Sequence, residues 1–197
     1  MKTWKVLDEN GKPFHGGSGQ YSLPKNGKPG GWMPKIDNVI VCQRGYHSLR
    51  KTDVVHWFGP TIWEAETRGP LVKQDNKIVS SEIRIVRKLG TWNERTARLF
   101  ACDCAEKVLP LFEKENPNDL RVRECIEVAR RFANGEASED ERDATRDAAR
   151  AAGVAAWVAT GDAGVAAWVA AGDAARAAGA AARDAQTKIL WRYLYPK

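Results

Sequence analysis

Residues 83–94 read Ile-Arg-Ile-Val-Arg-Lys-Leu-Gly-Thr-Trp-Asn-Glu, and the chain changes its grammar at Thr91. Upstream, Ile83 to Val86 closes a series of short runs of β-branched and aromatic residues, the composition of strands. Downstream, Thr91-Trp-Asn-Glu94 has the spacing of a capping box, and the apolar positions that follow recur with helical period. The expected fold is therefore α+β. A small, mostly β domain runs to about Gly90, and an all-helical domain occupies 91–197.

In the first ninety residues, strand signals fall at Trp4 to Leu7, Val39 to Cys42, Thr61 to Ala65 and Ile83 to Val86. The intervening Gly11 to Gly31 is rich in Gly, Pro and Lys, which argues for turns or a loop. Leu49, Val54 and Trp57 have helical spacing within Ser48 to Trp57, stopped by Gly59-Pro60, so one short helix is expected there.

Beyond Thr91, one helix is predicted over 92–114 with Ala97, Phe100, Cys104, Val108 and Leu111 facing inward and Pro110 removing a backbone donor. A second, over 119–134, follows the Asn118/Asp119 caps, buries Val122, Cys125/Ile126, Ala129 and Phe132, and stops at Asn134-Gly135. Ser138 to Glu141 repeats the capping-box spacing and opens the Ala-rich stretch of 139–194. Within it, GVAAWVATGDA at 153–163 recurs as GVAAWVAAGDA at 164–174, an 11-residue unit of about three helical turns that stacks Trp157 over Trp168. Gly161-Asp162 and Gly172-Asp173 each read as a helix stop followed by a cap, which favours short helices folded back on one another over one rod.

Charge is distributed unevenly. Residues 1–90 hold 15 Lys and Arg against 8 Asp and Glu, a net +7, whereas the remainder of this +6 chain is close to neutral. Such a field favours a macromolecular partner with an acidic face, a protein ahead of a nucleic acid. No stretch reaches the roughly 20 apolar residues of a membrane span, and MKTWKVLDENGK lacks the apolar segment of a secretory signal. A cytoplasmic protein without membrane contact is expected. Cys42, Cys102, Cys104 and Cys125 are too few and too irregular for a disulfide scaffold, and the one-residue gap of Cys102-x-Cys104 is too short for a usual zinc pair, so neither metal nor cofactor is predicted.

The densest cluster of polar and aromatic residues comprises Arg44, Tyr46, His47, His56, Trp57 and Trp63, and Arg50 and Lys51 extend its basic face. Aromatic faces beside cations suit stacking or a protein hot spot, and these eight are the expected partner-binding residues. Tyr46, Trp57 and Trp63 also suit the core of a small sheet. Glu64 and Glu66 alternate as a strand requires, but solvated carboxylates on a strand are commoner than an acid/base pair. No Gly-x-Ser-x-Gly elbow or phosphate loop is present, and no catalytic residue is assigned.

Two resemblances extend this reading. WNERTARLFACDCAEKVLPLFEKENPNDLRVRECIEVARRFANGEA at 92–137, with the Ala-rich tract after it, resembles a helical domain of bacterial and phage proteins similar to immunity proteins. The first half, with KTWKVLDENGK, GYHSLRKTDVVHWFGPTIWEAE and KIVSSEIRIVRKL, resembles a small phage and bacterial domain of unknown function, and its motif order is similar to the strands of ADP-ribosyltransferases. The first resemblance brings no activity with it, but a specific scaffold, a charged first half and the lack of a catalytic signature together lead to the expectation of a non-enzymatic binding protein, phage or prophage encoded, that neutralises a macromolecular partner as immunity or anti-defence proteins do. The second implies an alternative, an NAD-using or nucleotide-binding protein with Glu66 or Glu82 as its acid. Nucleic-acid binding through the basic half is a further alternative, and the Ala-rich helices offer a surface for self-association.

Overall fold

A computed structural model describes residues 1–145, 147 and 182–197. The fold is α+β, as the change at Thr91 indicates. It divides into two units, Met1–Asn93 together with Leu194–Lys197, and Glu94–Tyr193. The tandem repeat with Trp157 and Trp168 lies outside the described residues.

The first unit is built on a four-stranded antiparallel sheet of β1 (Lys2–Leu7), β2 (Tyr46–Ser48), β3 (Thr61–Lys73) and β4 (Ile78–Lys88), in the order β1-β3-β4-β2. Strands β3 and β4 form a long hairpin, with Ala65 opposite Ile85, Thr67 opposite Ile83 and Val72 opposite Val79. Register shifts at Glu64/Ala65 and Arg68/Leu71 bend it. The sheet then curls until its two edges meet: Trp4 N–H donates to the Leu49 carbonyl at 2.9 Å, and Leu49 N–H returns a bond to Trp4 at 2.8 Å. This closure satisfies backbone groups that would otherwise form an open edge.

Leu7, Tyr21, Trp63, Ala65, Ile83 and Ile85 form one buried cluster, with Leu23, Met33 and Tyr46 packed on it. The irregular segment that supplies Met33 runs along the β4 edge, where the amides of Gly30, Met33 and Ile36 donate to Ile85, Ile83 and Ser81. It approaches so closely that a Cβ on Gly30 would lie 1.8 Å from the Ser22 carbonyl oxygen, so glycine is required there. Trp92 is buried, donates from Nε1 to the Gly59 carbonyl at 3.1 Å and stacks on Phe58.

Two expectations change, one of a strand and one of a helix. Val39 to Cys42 is a turn, closed by reciprocal Ile40–Arg44 backbone bonds, with Asn38 and Cys42 at left-handed φ of 53° and 60°. The expected helix over Ser48 to Trp57 reduces to one 3-10 turn, Val54–His56, because Asp53 bends back to accept the Arg50 amide at 2.9 Å and its guanidinium at 2.7 Å.

In the second unit α1 spans Glu94–Glu115 and α2 spans Arg121–Ala133, and residues 139–145 and 182–193 are also helical. Cys102, Leu109 and Ile126 form the buried contact between α1 and α2, with Ala105, Val122 and Ala129 beside it. The α1 stripe is thus rotated from the expected one, and Leu111 is 70% exposed. Arg130 of α2 clamps Asp103 at 2.9 Å and Glu106 at 2.7 Å on α1, and Tyr193 donates to the second Asp103 oxygen. Gly135 at φ 77° ends α2 as the Asn134-Gly135 pair requires, with Glu136 N–H bonded to Arg131 and Gly135 N–H to Phe132. The Ser138–Glu141 capping box forms reciprocally, at 3.1 and 2.9 Å.

Ile83 has no exposed surface and lies in the main cluster. Ile83→Ala is expected to lower the stability of the first unit by about 2–5 kcal/mol in chemical denaturation. A loss under about 1 kcal/mol would refute this packing.

Candidate functional site

Where the sheet edges close, the first unit forms an open-mouthed cavity of about 600 Å³. β1 contributes Lys5, β2 contributes Tyr46 and His47, and the turn between β3 and β4 contributes Lys77. Trp57 and Tyr21 add aromatic walls, while His15 to Gly19 form part of the rim. Gly45, at φ 136°, delivers the chain into β2. A Cβ there would stand 2.5 Å from Val79 Cγ1, so the approach that brings Arg44, Tyr46 and His47 to the cavity depends on glycine.

Hydrogen bonds hold the walls in place. Lys5 Nζ donates to the His47 carbonyl at 2.7 Å and lies 5.1 Å from the centre of the Tyr21 ring. Burial pushes this ammonium down to about 8. The Cys42 amide donates to His47 Nε2 at 3.2 Å, so that nitrogen presents a lone pair. Burial, and then the charges of Lys5 and Lys77, pull the imidazole below its ordinary range. Trp57 Nε1 donates to Asn76 at 2.9 Å, the Tyr46 hydroxyl donates to Pro34 at 2.8 Å, and Lys77 Nζ lies 5.5 Å from the Trp57 ring centre and 3.2 Å from Cys42 Sγ. The lining carries Lys5, Arg44, Lys77, His15 and His47 and no Asp or Glu side chain. The chemistry this arrangement supports is recognition of a negatively charged group.

Of the eight residues expected to bind a partner, Arg44, Tyr46, His47 and Trp57 converge on this cavity. Arg50 is held instead by Asp53 and by the carbonyls of Gln74 and Asp75 at 2.7 and 2.6 Å. Trp63 is core, with its indole donating to Thr61 Oγ1 at 2.6 Å, while Lys51 and His56 are exposed away from the lining. Lys5, His15, Tyr21 and Lys77 were not among the expected residues. The available signal was Lys5, which alternation puts on the same side of β1 as Thr3 and Leu7, a cation on an inward face.

The carboxylates considered for acid/base work are each held by an arginine. Glu66 meets Arg84 and Glu82 meets Arg68 at 2.7 Å. Glu64, with a side chain 8% exposed, accepts from Arg87 at 2.8 and 2.9 Å, from Lys2 at 2.8 Å and from the Tyr195 hydroxyl. The Arg87 hydrogen bonds, foremost among these, hold Glu64 down at about 2 from its ordinary 4.5, so it is no proton donor at neutral pH.

A family described as "Imm-5 like putative immunity protein" matches residues 87–189, just over half of the 197-residue chain. No curated protein and no solved structure matches it. Among the described residues no helix is long and apolar enough to cross a membrane.

Because the Glu64 carboxyl is depressed in the folded chain, its stabilisation is complete above its ordinary 4.5 and is lost as pH falls towards 2. Glu64→Gln is expected to be less stable at neutral pH and to lose less stability than the parent across that window, measured by urea unfolding at stepped pH. Parallel profiles for the two proteins would refute the assignment.

Proposed function

The chain belongs to the Imm-5 like immunity-protein family, and on that premise we propose that it acts by binding, as a non-enzymatic protein that neutralises a macromolecular partner. The family match is the observation that carries this reading. The charge pattern supports the nature of the partner. Most carboxylates of the first unit already meet a Lys or Arg: Glu9, Asp37, Asp53, Glu64, Glu66 and Glu82 all do so. Arg44 and Lys51 are exposed within the surplus of cations over 1–90. That field suits a protein with an acidic face, whose approach it accelerates.

The reading is tested by capture of partners on the full chain from cells that make it, followed by titration of each purified captured protein against its own activity. One captured protein should lose its activity at an equimolar ratio, and Arg44→Glu with Lys51→Glu should weaken its binding by about tenfold or more. Retention of no protein, or of proteins whose activities are untouched, would overturn the proposal.

A further inference from the structure

The cavity at the sheet closure is a different kind of surface from a protein-docking face, and it lies within 1–93, largely outside the residues matched by the family. We propose that it is a binding site for a free nucleotide, with its aromatic walls taking the base and its cations taking the phosphates. The inference does not depend on the neutralising role, although Arg44 belongs to both surfaces.

Three observations carry it. First, about 600 Å³ of space falls within the roughly 300–1,000 Å³ of small-molecule sites. Second, three cations from separate parts of the chain, Lys5, Arg44 and Lys77, share a lining with no carboxylate side chain, whereas elsewhere in this unit most acids and bases are matched pairwise. An excess of this kind inside a concave wall attracts more than the single charge of a carboxylate. Third, Tyr21, Tyr46 and Trp57 are oriented before any ligand arrives. Tyr21 and Tyr46 meet edge to face at 6.2 Å, Trp57 is pinned through its N–H, and His15 meets Trp57 edge to face at 5.2 Å. Preset aromatic faces beside cations are the chemistry of stacking on a base, which every nucleotide offers.

The rim adds donors. Gly16 and Gly17 take positive φ of 89° and 102°, and among the described residues no hydrogen bond is found at the amides of Gly17, Ser18 or Gly19. A Cβ would meet nothing within 4 Å at Gly16, so an anion has room to reach this backbone.

The test is isothermal titration of the full chain with ATP, GTP, adenosine and pyrophosphate. A nucleoside triphosphate should bind, and adenosine and pyrophosphate should each bind at least about tenfold more weakly. Arg44→Ala and Lys77→Ala should each weaken the triphosphate about tenfold or more while the far-ultraviolet circular dichroism stays unchanged. Absence of binding by either triphosphate up to about 1 mM would overturn the proposal. Pyrophosphate binding as tightly as the triphosphates, or affinity indifferent to both substitutions in folded protein, would overturn it equally.

Discussion

The pair of backbone hydrogen bonds between Trp4 and Leu49 determines the character of the first unit. In strand order β1 and β2 stand at opposite edges, separated by β3 and β4, yet Lys5 of β1 reaches the carbonyl of His47 on β2. That contact is available because the sheet curls, and the curl is made by the long β3–β4 hairpin, whose two register shifts bend it. Closing the edges hides a peptide row that would invite pairing with another chain. It also leaves a hollow at the seam, lined by side chains that a flat sheet would hold far apart.

The two units show different electrostatic habits. In the helical unit Arg130, Asp103, Glu106 and Tyr193 form one connected set that ties α2 to α1 and to the helix ending the unit. In the sheet unit the acids are held on cations across strands, and what remains is positive, above all around the seam. The family match lies almost wholly on the helical unit, whereas the basic cavity lies in the sheet unit.

What was legible in the sequence was local. The change at Thr91, the strands near Trp4, Thr61 and Ile83, the Gly135 stop and the Ser138–Glu141 box all depend on neighbours in the chain, and each is found. What was hidden depends on partners distant in sequence. Val39 to Cys42 has strand composition, but left-handed residues at Asn38 and Cys42 turn it back on Arg44. Leu111 keeps the helical period of α1 and is nevertheless exposed, because α2 packs over Cys102 and Leu109. At the cavity, Arg44 to His47 could be found as a cluster of types. Lys5, His15, Tyr21 and Lys77 join them only through the curl, which no short motif encodes.

Leu194 to Lys197 belong to the sheet unit although the preceding hundred residues do not. Leu194 accepts from the Thr91 hydroxyl, while Tyr195 accepts from the Trp4 indole and donates to Glu64, 131 residues away along the chain. During synthesis, at roughly 5–20 residues per second, β1 to β4 therefore emerge on the order of ten seconds before the tyrosine that completes their network. Over that interval Glu64 has Lys2 and Arg87 alone for company. The nascent sheet must be able to wait, half-finished, for its own tail.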